Sequence, residues 1–247
     1  MQAVILAGGL GTRLRPVTDL VPKPMVAVAG KPYLEHQLVE LQRQGIADIL
    51  ILTGYLGEQI EAYFGDGSAW EVSIRYSREP EPIGTGGALR LAGRILSPTF
   101  LVIYGDSFLP FDYRTVVQSL EHVPAALGAV VVYDNSQRRI PVPNNIALDA
   151  SSNVTRYEKT LAGSLASIQQ PLHAAPSETS LTHVDAGVLA FRRGVVEFIP
   201  PGKVSLEQEI FPRLIEGHCL VGIPTDVRFY DIGTPERLKA IEEYFGR

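Results

Sequence analysis

The chain lacks the features that mark disulfide-rich secreted proteins and membrane proteins. Its 247 residues include a single cysteine, Cys219, so no disulfide can form within the chain. Cys219 lies in the apolar segment 219–223 and is predicted to be a small core residue. Apolar runs such as 49–52 have the length of a strand, far short of the roughly 18 residues of a membrane-spanning helix. The sequence therefore predicts a soluble protein without a membrane partner.

A basic tract and a leader segment are also missing. The net charge is −5 with no cluster of cations, which argues against nucleic acid as a partner. The first residues enter a strand-like run directly, so we expect no signal peptide and a cytoplasmic location. A hydrophobic content of 45% is enough for a full core, and we expect one α/β domain over residues 1–247.

Strand-like and helix-like runs alternate along the first half of the chain. Strands are predicted at 2–7, 48–53, 72–77 and 100–104, and helices at 33–44, 58–64 and 86–96. In the first of these helices Leu34, Leu38 and Leu41 recur at helical spacing, and Gly45 follows as a stop. The alternation predicts a doubly wound, mostly parallel, Rossmann-like sheet with helices on both faces. Ligands should gather beyond the carboxyl ends of its strands.

The second half of the chain has shorter predicted strands, which no longer alternate regularly with helices. Short strands are predicted at 129–133, 145–149 and 153–158. Ser205 and Gln208 fit a capping box that opens a helix over 206–216, and the Thr-Pro pair at 234–235 opens a last helix. The stretch 163–182 has weak periodicity and is interpreted either as a mobile lid or as a surface insertion.

A glycine-rich turn follows the first predicted strand. Gly8, Gly9 and Gly11 release the backbone so that its N–H groups can converge on an anion. Arg13 and Lys23 come next, and the two prolines around the lysine restrict where its ammonium points. The spacing matches neither the P-loop nor the dinucleotide-binding pattern. Fixed cations beside a glycine turn still suit a polyphosphate.

Two aspartates are candidates for a metal site. Asp106 follows the apolar strand 100–104 and would point into a cleft, although such a residue can also cap a turn. Asp231 lies among aromatic and aliphatic residues, where an unpaired charge is costly, so it needs a metal or a hydrogen-bond partner. Capping of the helix at 234–235 is the alternative. Together with phosphate oxygens and waters, two carboxylates would make a suitable octahedral Mg²⁺ site.

The run GGxGTRLxPxT followed by PKP, over residues 8–24, resembles the signature of the sugar-1-phosphate nucleotidyltransferases, also called nucleotide-sugar pyrophosphorylases. Further stretches similar to this family occur in the expected order, at 82–88 (PIGTGGA), 105–106 (GD), 157–159 (YEK), 184–187 (VDAG) and 231–235 (DIGTP). Together they cover nearly the whole chain. The short length, the GTGGA loop and the SLE at 205–207 look closest to heptose-1-phosphate guanylyltransferases.

The resemblance implies an activity and its cofactor. A nucleoside monophosphate would pass from an NTP to a sugar 1-phosphate, giving an NDP-sugar and pyrophosphate with the help of Mg²⁺. Residues 1–125 would form the nucleotide half and residues 126–247 the sugar half. GTP and a heptose or hexose 1-phosphate are favoured. Many relatives carry Arg-Tyr-Gly where this chain has 141–145 (PVPNN), which leaves the sugar open, and the oligomeric state is also open.

The resemblance also implies roles for individual residues. Arg13 and Lys23 would be catalytic, and Asp106 and Asp231 would hold the metal. The nucleotide would contact Leu6, Gly8, Gly9, Gly11, Thr12, Gly84, Thr85 and Gly86. The sugar phosphate would contact Glu158, Lys159 and Gly187.

Two other classes of protein share parts of this pattern. A GT-A glycosyltransferase that consumes NDP-sugars has a similar sheet, but it should show Asp-x-Asp where this chain has Gly-Asp-Ser-Phe at 105–108. A non-catalytic NDP-sugar-binding module would keep the fold and lose the chemistry. Retention of Arg13, Lys23, Asp106, Lys159 and Asp231 together argues against that reading.

Overall fold

The computed structural model describes residues 1–158 and 180–246. Along these residues the strands are β1 (Gln2–Ala7), β2 (Ala27–Val28), β3 (Lys31–Pro32), β4 (Asp48–Thr53), β5 (Ser73–Arg78), β6 (Thr99–Tyr104), β7 (Ser107–Phe108), β8 (Gly128–Asp134), β9 (Ile146–Leu148), β10 (Val154–Tyr157), β11 (His183–Arg192), β12 (Leu220–Thr225) and β13 (Tyr230–Asp231). The α-helices are α1 (Tyr33–Arg43), α2 (Gly57–Phe64), α3 (Gly84–Leu91), α4 (Tyr113–His122), α5 (Phe211–Glu216) and α6 (Pro235–Phe245).

Four neighbouring parallel strands, in the order β5-β4-β1-β6, form the part of the main sheet that comes from the first half of the chain. In β1, Ile5 pairs with Ile51 on one side and Ile103 on the other. Because the strands run in the same direction, the turns after Ala7 and Tyr104 lie at one edge of the sheet. This confirms the predicted doubly wound α/β arrangement.

The sheet continues beyond β6 with a change of direction. β11 runs antiparallel to β6 and to β8, and β12 pairs with β8 in parallel. β9 and β10 extend the same sheet as an antiparallel pair. The predicted strands of the second half are confirmed within one or two residues, whereas alternation gave no prediction for β11 and β12. Both are nearly continuous apolar runs, because the sheet is buried on both faces there.

Helix ends follow the local chemistry of the chain. α1 ends at Arg43, one residue before the predicted end, and the predicted stop Gly45 follows with a φ of 71°. The side chain of Ser205 accepts a hydrogen bond from the Gln208 N–H as predicted, but Glu209 rather than Gln208 bonds back to the Ser205 N–H. The reason is a π-helical turn over Leu206–Ile210, which is wider than an α-helical turn and shifts the returning side chain by one residue before α5 begins.

The core lies on both faces of the main sheet. Ala3 and Ile5 of β1 pack on one face with residues of α1, α2 and α4, and Val4 packs on the other face with residues of α3 and α5. Cys219 packs against this second face but is only half-buried, so it lies at the edge of the core rather than within it as the sequence predicted. No helix in the described part of the chain is both long and apolar enough to cross a membrane.

A third, smaller apolar cluster joins elements that are distant in the chain. Leu14 and Val26, from the loop that follows β1, pack with Phe108 of β7, Ile232 after β13 and Ile241 of α6. β7 and β13 pair with each other outside the main sheet. This packing fixes the loop that carries Arg13 and Lys23 against the β7 and β13 pair, where Asp106 directly precedes β7 and Asp231 lies in β13.

Candidate active site

A turn with a left-handed residue connects β1 to the loop that covers the sheet edge. Gly11 has a φ of 63°, and a Cβ added to it would lie 2.9 Å from Cγ2 of Thr18. Thr18 closes the turn by donating its hydroxyl hydrogen to the Gly11 carbonyl at 2.8 Å. Thr12 then opens a short 3-10 turn, Thr12–Leu14, with Arg13 at its centre. Only glycine fits at position 11, for both conformational and steric reasons.

A cavity of about 380 Å³ opens at the carboxyl edge of β1 and β6. Among the residues predicted from the sequence, its lining includes Leu6, Gly8, Gly9, Lys23, Gly84, Thr85 and Asp106. Residues that the sequence reasoning did not select also line it, namely Glu79, Tyr104, Lys203 and Glu207. The structure thus brings the glycine turn, the loop before α3 and the end of β6 together around one space.

The GTGGA loop is positioned by the segment that precedes the π-helical turn. Gly84 has a φ of 77°, and a Cβ on it would lie 2.5 Å from the Val204 carbonyl oxygen. Gly86 donates its N–H to the same oxygen at 2.9 Å, and its own Cβ would lie 3.0 Å from Cγ1 of Val204. Close packing against Val204 is therefore a reason for glycine at both positions, besides the expected approach to a base. Gly84 lines the cavity, and Gly86 faces the supporting segment.

A network of side chains holds this loop to the opposite wall. Glu207 accepts hydrogen bonds from the hydroxyls of Tyr104 at 2.7 Å, Thr85 at 3.1 Å and Ser205 at 2.7 Å. Thr85 in turn accepts a bond from the Leu206 N–H at 2.9 Å. In the sequence, Glu207 belongs to the predicted start of a helix. Nothing in the neighbouring residues indicates that it lines a cavity.

Lys23 and Asp106 form an ion pair at the cavity wall. Lys23 is 9% exposed, so its ammonium is held rather than free in solvent. Burial by itself would raise the pKa of Asp106, but Lys23 and, more weakly, Arg13 outweigh it and leave that pKa below the ordinary value for aspartate. Asp106 is therefore ionised at neutral pH, as a metal ligand must be.

Asp231 lies beside the same site on β13. Its carboxylate accepts hydrogen bonds from Arg237 at 3.0 and 3.2 Å and from the Gly233 N–H at 2.7 Å. A Cβ on Gly233 would lie 3.5 Å from the terminal nitrogens of Arg13. Arg13 thus packs against the turn that follows Asp231. The hydrogen-bond partners expected for Asp231 are present, namely the side chain of Arg237 on α6 and the Gly233 N–H, and Asp231 is not the cap of that helix. Thr234 caps that helix itself, as predicted, by accepting the Arg237 N–H.

The two aspartates are brought together by strand pairing. Asp231 pairs with Ser107 across β13 and β7, and the Ile232 N–H donates to the Asp106 carbonyl at 3.0 Å. Within the ranges that the structure describes, no group of three or more His, Cys, Asp or Glu residues could hold a metal ion. The structure thus places the two aspartates on adjacent backbone segments, and a pair of carboxylates fits an ion that takes its other ligands from phosphates and waters, as Mg²⁺ commonly does.

Two of the three residues predicted for the sugar phosphate lie in the described part of the chain, Glu158 directly after β10 and Gly187 within β11. Glu158 follows β10, pairs with Arg156 and donates its N–H to the Asn145 carbonyl at 2.8 Å. Lys159 lies outside the described residues, as does most of the stretch 163–182. Gly187 has a φ of 78°, and a Cβ on it would lie 2.4 Å from Cβ of Ser107. Glycine at 187 is therefore required by the backbone and by Ser107, whether or not a sugar packs there.

Asp185 is a half-buried acid that was not predicted from the sequence as a site residue. Its carboxylate accepts hydrogen bonds from the Gly187 N–H at 2.8 Å and the Tyr157 hydroxyl at 3.1 Å. Burial raises the pKa of Asp185 to about 6, and nearby Glu207 adds to the rise, although the two hydrogen bonds oppose it. A raised acid pKa beside a cavity is typical of functional sites.

The fold and the position of the cavity define a class, that of the Rossmann-like α/β proteins whose ligands bind beyond the carboxyl ends of parallel strands. Residues 2–140 match the family model described as "Nucleotidyl transferase". The chain belongs to the nucleotidyl transferase family, as the motifs in its sequence predicted.

Curated relatives and solved structures agree with this assignment. The chain is 34% identical over 241 residues to a mannose-1-phosphate guanylyltransferase of Mycobacterium tuberculosis, covering 96% of this chain and 62% of that protein. It is 31% identical over 238 residues to the D-glycero-alpha-D-manno-heptose 1-phosphate guanylyltransferase of Aneurinibacillus thermoaerophilus, covering 96% and 94%. The crystal structure of HddC from Yersinia pseudotuberculosis complexed with GMP-PN superposes with a TM-score of 0.77 at 26% identity, covering 99% of both chains. The chain thus spans about three fifths of the mycobacterial relative and nearly all of the other two proteins.

Proposed function

We propose that this protein transfers a nucleoside monophosphate from an NTP to a sugar 1-phosphate, giving an NDP-sugar and pyrophosphate. The observation that carries the proposal is the cavity at the carboxyl edge of β1 and β6, where the glycine turn, Lys23 and Asp106 meet. The names of the relatives support the reaction, since both are guanylyltransferases for a sugar 1-phosphate.

The chemistry explains why the cations are needed. A phosphate oxygen of the sugar 1-phosphate attacks the α-phosphorus of the NTP, the bond from that phosphorus to the bridging oxygen breaks, and pyrophosphate leaves in line. Both reactants are anions, so the protein must offset their repulsion and hold them in line. Lys23 would contact the reacting phosphates. Arg13 would bind the β- and γ-phosphates through its planar guanidinium, which can hold two oxygens at once.

Asp106 and Asp231 would hold the Mg²⁺ ion, which supplies positive charge next to the phosphates as pyrophosphate leaves. Lys23 neutralises Asp106, and Arg237 neutralises Asp231. Each carboxylate has further lone pairs available, so it can accept these cations and still ligate a metal. Gly233 orients the Asp231 carboxylate by donating its N–H.

Glu79 supports GTP as the nucleotide. It follows β5, is buried at the cavity wall and accepts a hydrogen bond from the Ile83 N–H at 3.2 Å through one oxygen. Guanine presents two adjacent N–H donors on its Watson–Crick edge, which match the two oxygens of a carboxylate. Uracil and thymine place a single donor between two carbonyl oxygens, and those oxygens would be repelled. Burial raises the pKa of Glu79, and bonds from two base donors would stabilise its ionised form.

The sugar 1-phosphate would bind on the side formed by the later strands. Glu158, Lys159 and Gly187 are the residues proposed for it, and Asp185 joins them as an acceptor for sugar hydroxyls. This arrangement divides the chain into a nucleotide half over about 1–125 and a sugar half over about 126–247. A heptose or hexose 1-phosphate is the acceptor class that the relatives' names support.

The test is a matrix of four NTPs against several heptose and hexose 1-phosphates, with release of pyrophosphate as the readout and the Asp106→Asn variant as the inactive control. We expect turnover with GTP and at least one sugar 1-phosphate, dependent on a divalent metal. Hydrolysis of GDP-sugars without pyrophosphate release would support the glycosyltransferase alternative instead. Binding of GDP-sugars without any turnover would support a non-catalytic module.

A further inference from the structure

The turn that carries Asp106 is held by a side chain from helix α1. Gln37 is 2% exposed, and its Nε2 donates hydrogen bonds to the Tyr104 carbonyl at 2.9 Å and to the Ser107 carbonyl at 2.6 Å. These two carbonyls flank Gly105 and Asp106 in the chain. One amide group therefore bridges the two ends of the turn from which the Asp106 carboxylate projects.

Two other contacts to the turn come from backbone atoms. Gly105 donates its N–H to the Leu6 carbonyl at 2.9 Å, and a Cβ on Gly105 would lie 2.7 Å from that oxygen. On the opposite side the Ile232 N–H donates to the Asp106 carbonyl at 3.0 Å. The turn is thus fixed by β1, by the segment after β13, and by Gln37. The contact from Gln37 can be removed by mutation without changing the backbone.

A second buried polar group lies on the same helix as Gln37. In the described part of the chain, the buried side-chain atoms without a hydrogen-bond partner are the Tyr33 hydroxyl and Oε1 of Gln37. The two residues are four positions apart on α1 and so lie on one face. A hydroxyl donor and an amide acceptor that both need a partner can be satisfied by one bridging water. Such a bridge would keep the Nε2 of Gln37 directed at the turn.

We propose that Gln37, oriented by Tyr33, is a positioning residue that holds the Asp106 carboxylate in the geometry needed to ligate the divalent metal. The inference rests on the proposed function, in which Asp106 is a metal ligand. Groups that orient a metal ligand typically contribute about 10- to 100-fold to metal affinity or activity. Loss of the Gln37 amide should therefore have a larger effect on the affinity for the metal than on the stability of the protein.

The experiment compares two glutamine-to-methionine variants, one within α1 and one at its C-cap. Gln37→Met removes the amide that faces the Asp106 turn. Gln44→Met is the matched control, because Gln44 also bridges backbone groups by donating to the Phe111 carbonyl at 2.8 Å and accepting from the Tyr113 N–H at 2.9 Å. The probe is Mn²⁺, titrated into each protein in the presence of GTP, with free Mn²⁺ followed by electron paramagnetic resonance. Thermal melting of each variant measures stability separately.

We expect the Mn²⁺ dissociation constant to rise about 10-fold or more in Gln37→Met and to stay near the wild-type value in Gln44→Met. Tyr33→Phe removes only a hydroxyl and should shift the constant in the same direction by a smaller factor. If Gln37→Met does not fold, Tyr33→Phe alone decides the question. An unchanged Mn²⁺ affinity in these variants, with normal binding by the wild type, would overturn the positioning role alone. Failure of the wild type to bind Mn²⁺ with GTP would overturn the metal assignment and this role with it.

Discussion

Lys23 and Asp106 form an ion pair although they lie 83 residues apart in the chain. Their side chains are 11% and 32% exposed, so the pair is partly shielded from water but open to the cavity. The contact joins the loop after β1 to the end of β6, the two segments on which phosphate binding and metal binding were predicted. Because a cation and a carboxylate meet at this point, each can exchange its partner for a ligand of opposite charge. Lys23 can bind a phosphate, and Asp106 can bind a metal ion.

Asp106→Asn should keep the fold and lose most turnover. The amide has nearly the same shape as the carboxylate but lacks the charge that a metal requires, so we expect kcat to fall by about 100-fold or more. Pyrophosphate release with and without EDTA, together with a melting curve, checks this. Unchanged pyrophosphate release by the variant, or release in the wild type that resists EDTA, would refute the metal assignment.

Arg13→Ala should impair handling of the triphosphate. Loss of a charge-assisted contact to phosphate costs about 2 to 4 kcal/mol, or about 30- to 1000-fold in kcat/KM for the NTP. Arg15→Ala is the matched control, because Arg15 pairs with Asp19 at the surface at 3.0 Å. Steady-state kinetics should separate the two variants. Equal, small effects in both would mean that the phosphates bind elsewhere.

Glu79→Gln should lower the preference for GTP. A glutamine offers one donor and one acceptor, so it can meet only one of the two guanine donors, whereas it complements the donor and a carbonyl of uracil. Loss of one hydrogen bond to a charged group corresponds to about 10- to 100-fold in kcat/KM for GTP. The readout is the ratio of kcat/KM for GTP to that for UTP, with exposed Glu81→Gln as the control. A ratio that stays constant in Glu79→Gln would show that another group reads the base.

Gly187→Ala should destabilise the protein through two separate effects. The φ of 78° strains any side-chain-bearing residue, and the new Cβ would lie 2.4 Å from Cβ of Ser107. Gly30→Ala isolates the first effect, since Gly30 has a φ of 82° with no atom within 4 Å of the added Cβ. Denaturant unfolding should show a loss of about 1 kcal/mol in Gly30→Ala and about 2 to 4 kcal/mol in Gly187→Ala. Similar losses of stability in both variants would mean that Ser107 shifts away from the added Cβ at little cost.

Asp185→Asn should stabilise the protein more at pH 8 than at pH 5. The pKa of Asp185 is about 6 in the folded state, above its unfolded value, so the unfolded state loses its proton first as the pH rises. The free energy of unfolding therefore falls between about pH 4 and pH 6, by about 1 to 3 kcal/mol from this group. Asparagine removes that loss and can still accept from the Gly187 N–H. Melting temperatures of both proteins at pH 5 and pH 8 provide the check, and a pH-independent difference would contradict it.

Much of the fold could be predicted from local sequence patterns. The glycine turn after 2–7 and the aspartate after 100–104 end neighbouring parallel strands, and the alternation of strands and helices is enough to place them at one edge of the sheet. Caps at Ser205 and Thr234 are equally local, because each depends on atoms within four residues. The run 186–191 in β11 contains no polar side chain and so has no period of two, which is why alternation could not identify that strand.

The sequence by itself determined the family, the parallel half of the sheet and the types of residue at its carboxyl edge, because these depend on short-range patterns and on ordered motifs. Only the tertiary structure decided which groups meet there. Pairing of Lys23 with Asp106, pairing of Asp231 with Arg237, and the place of Glu79 in the cavity wall depend on how the loop after β1, the β7 and β13 pair and the end of β5 pack together. The bridge from Gln37 to the Asp106 turn has the same origin. Packing between segments dozens of residues apart leaves no periodic signal in the chain, because it is set by the shape and burial of the assembled core.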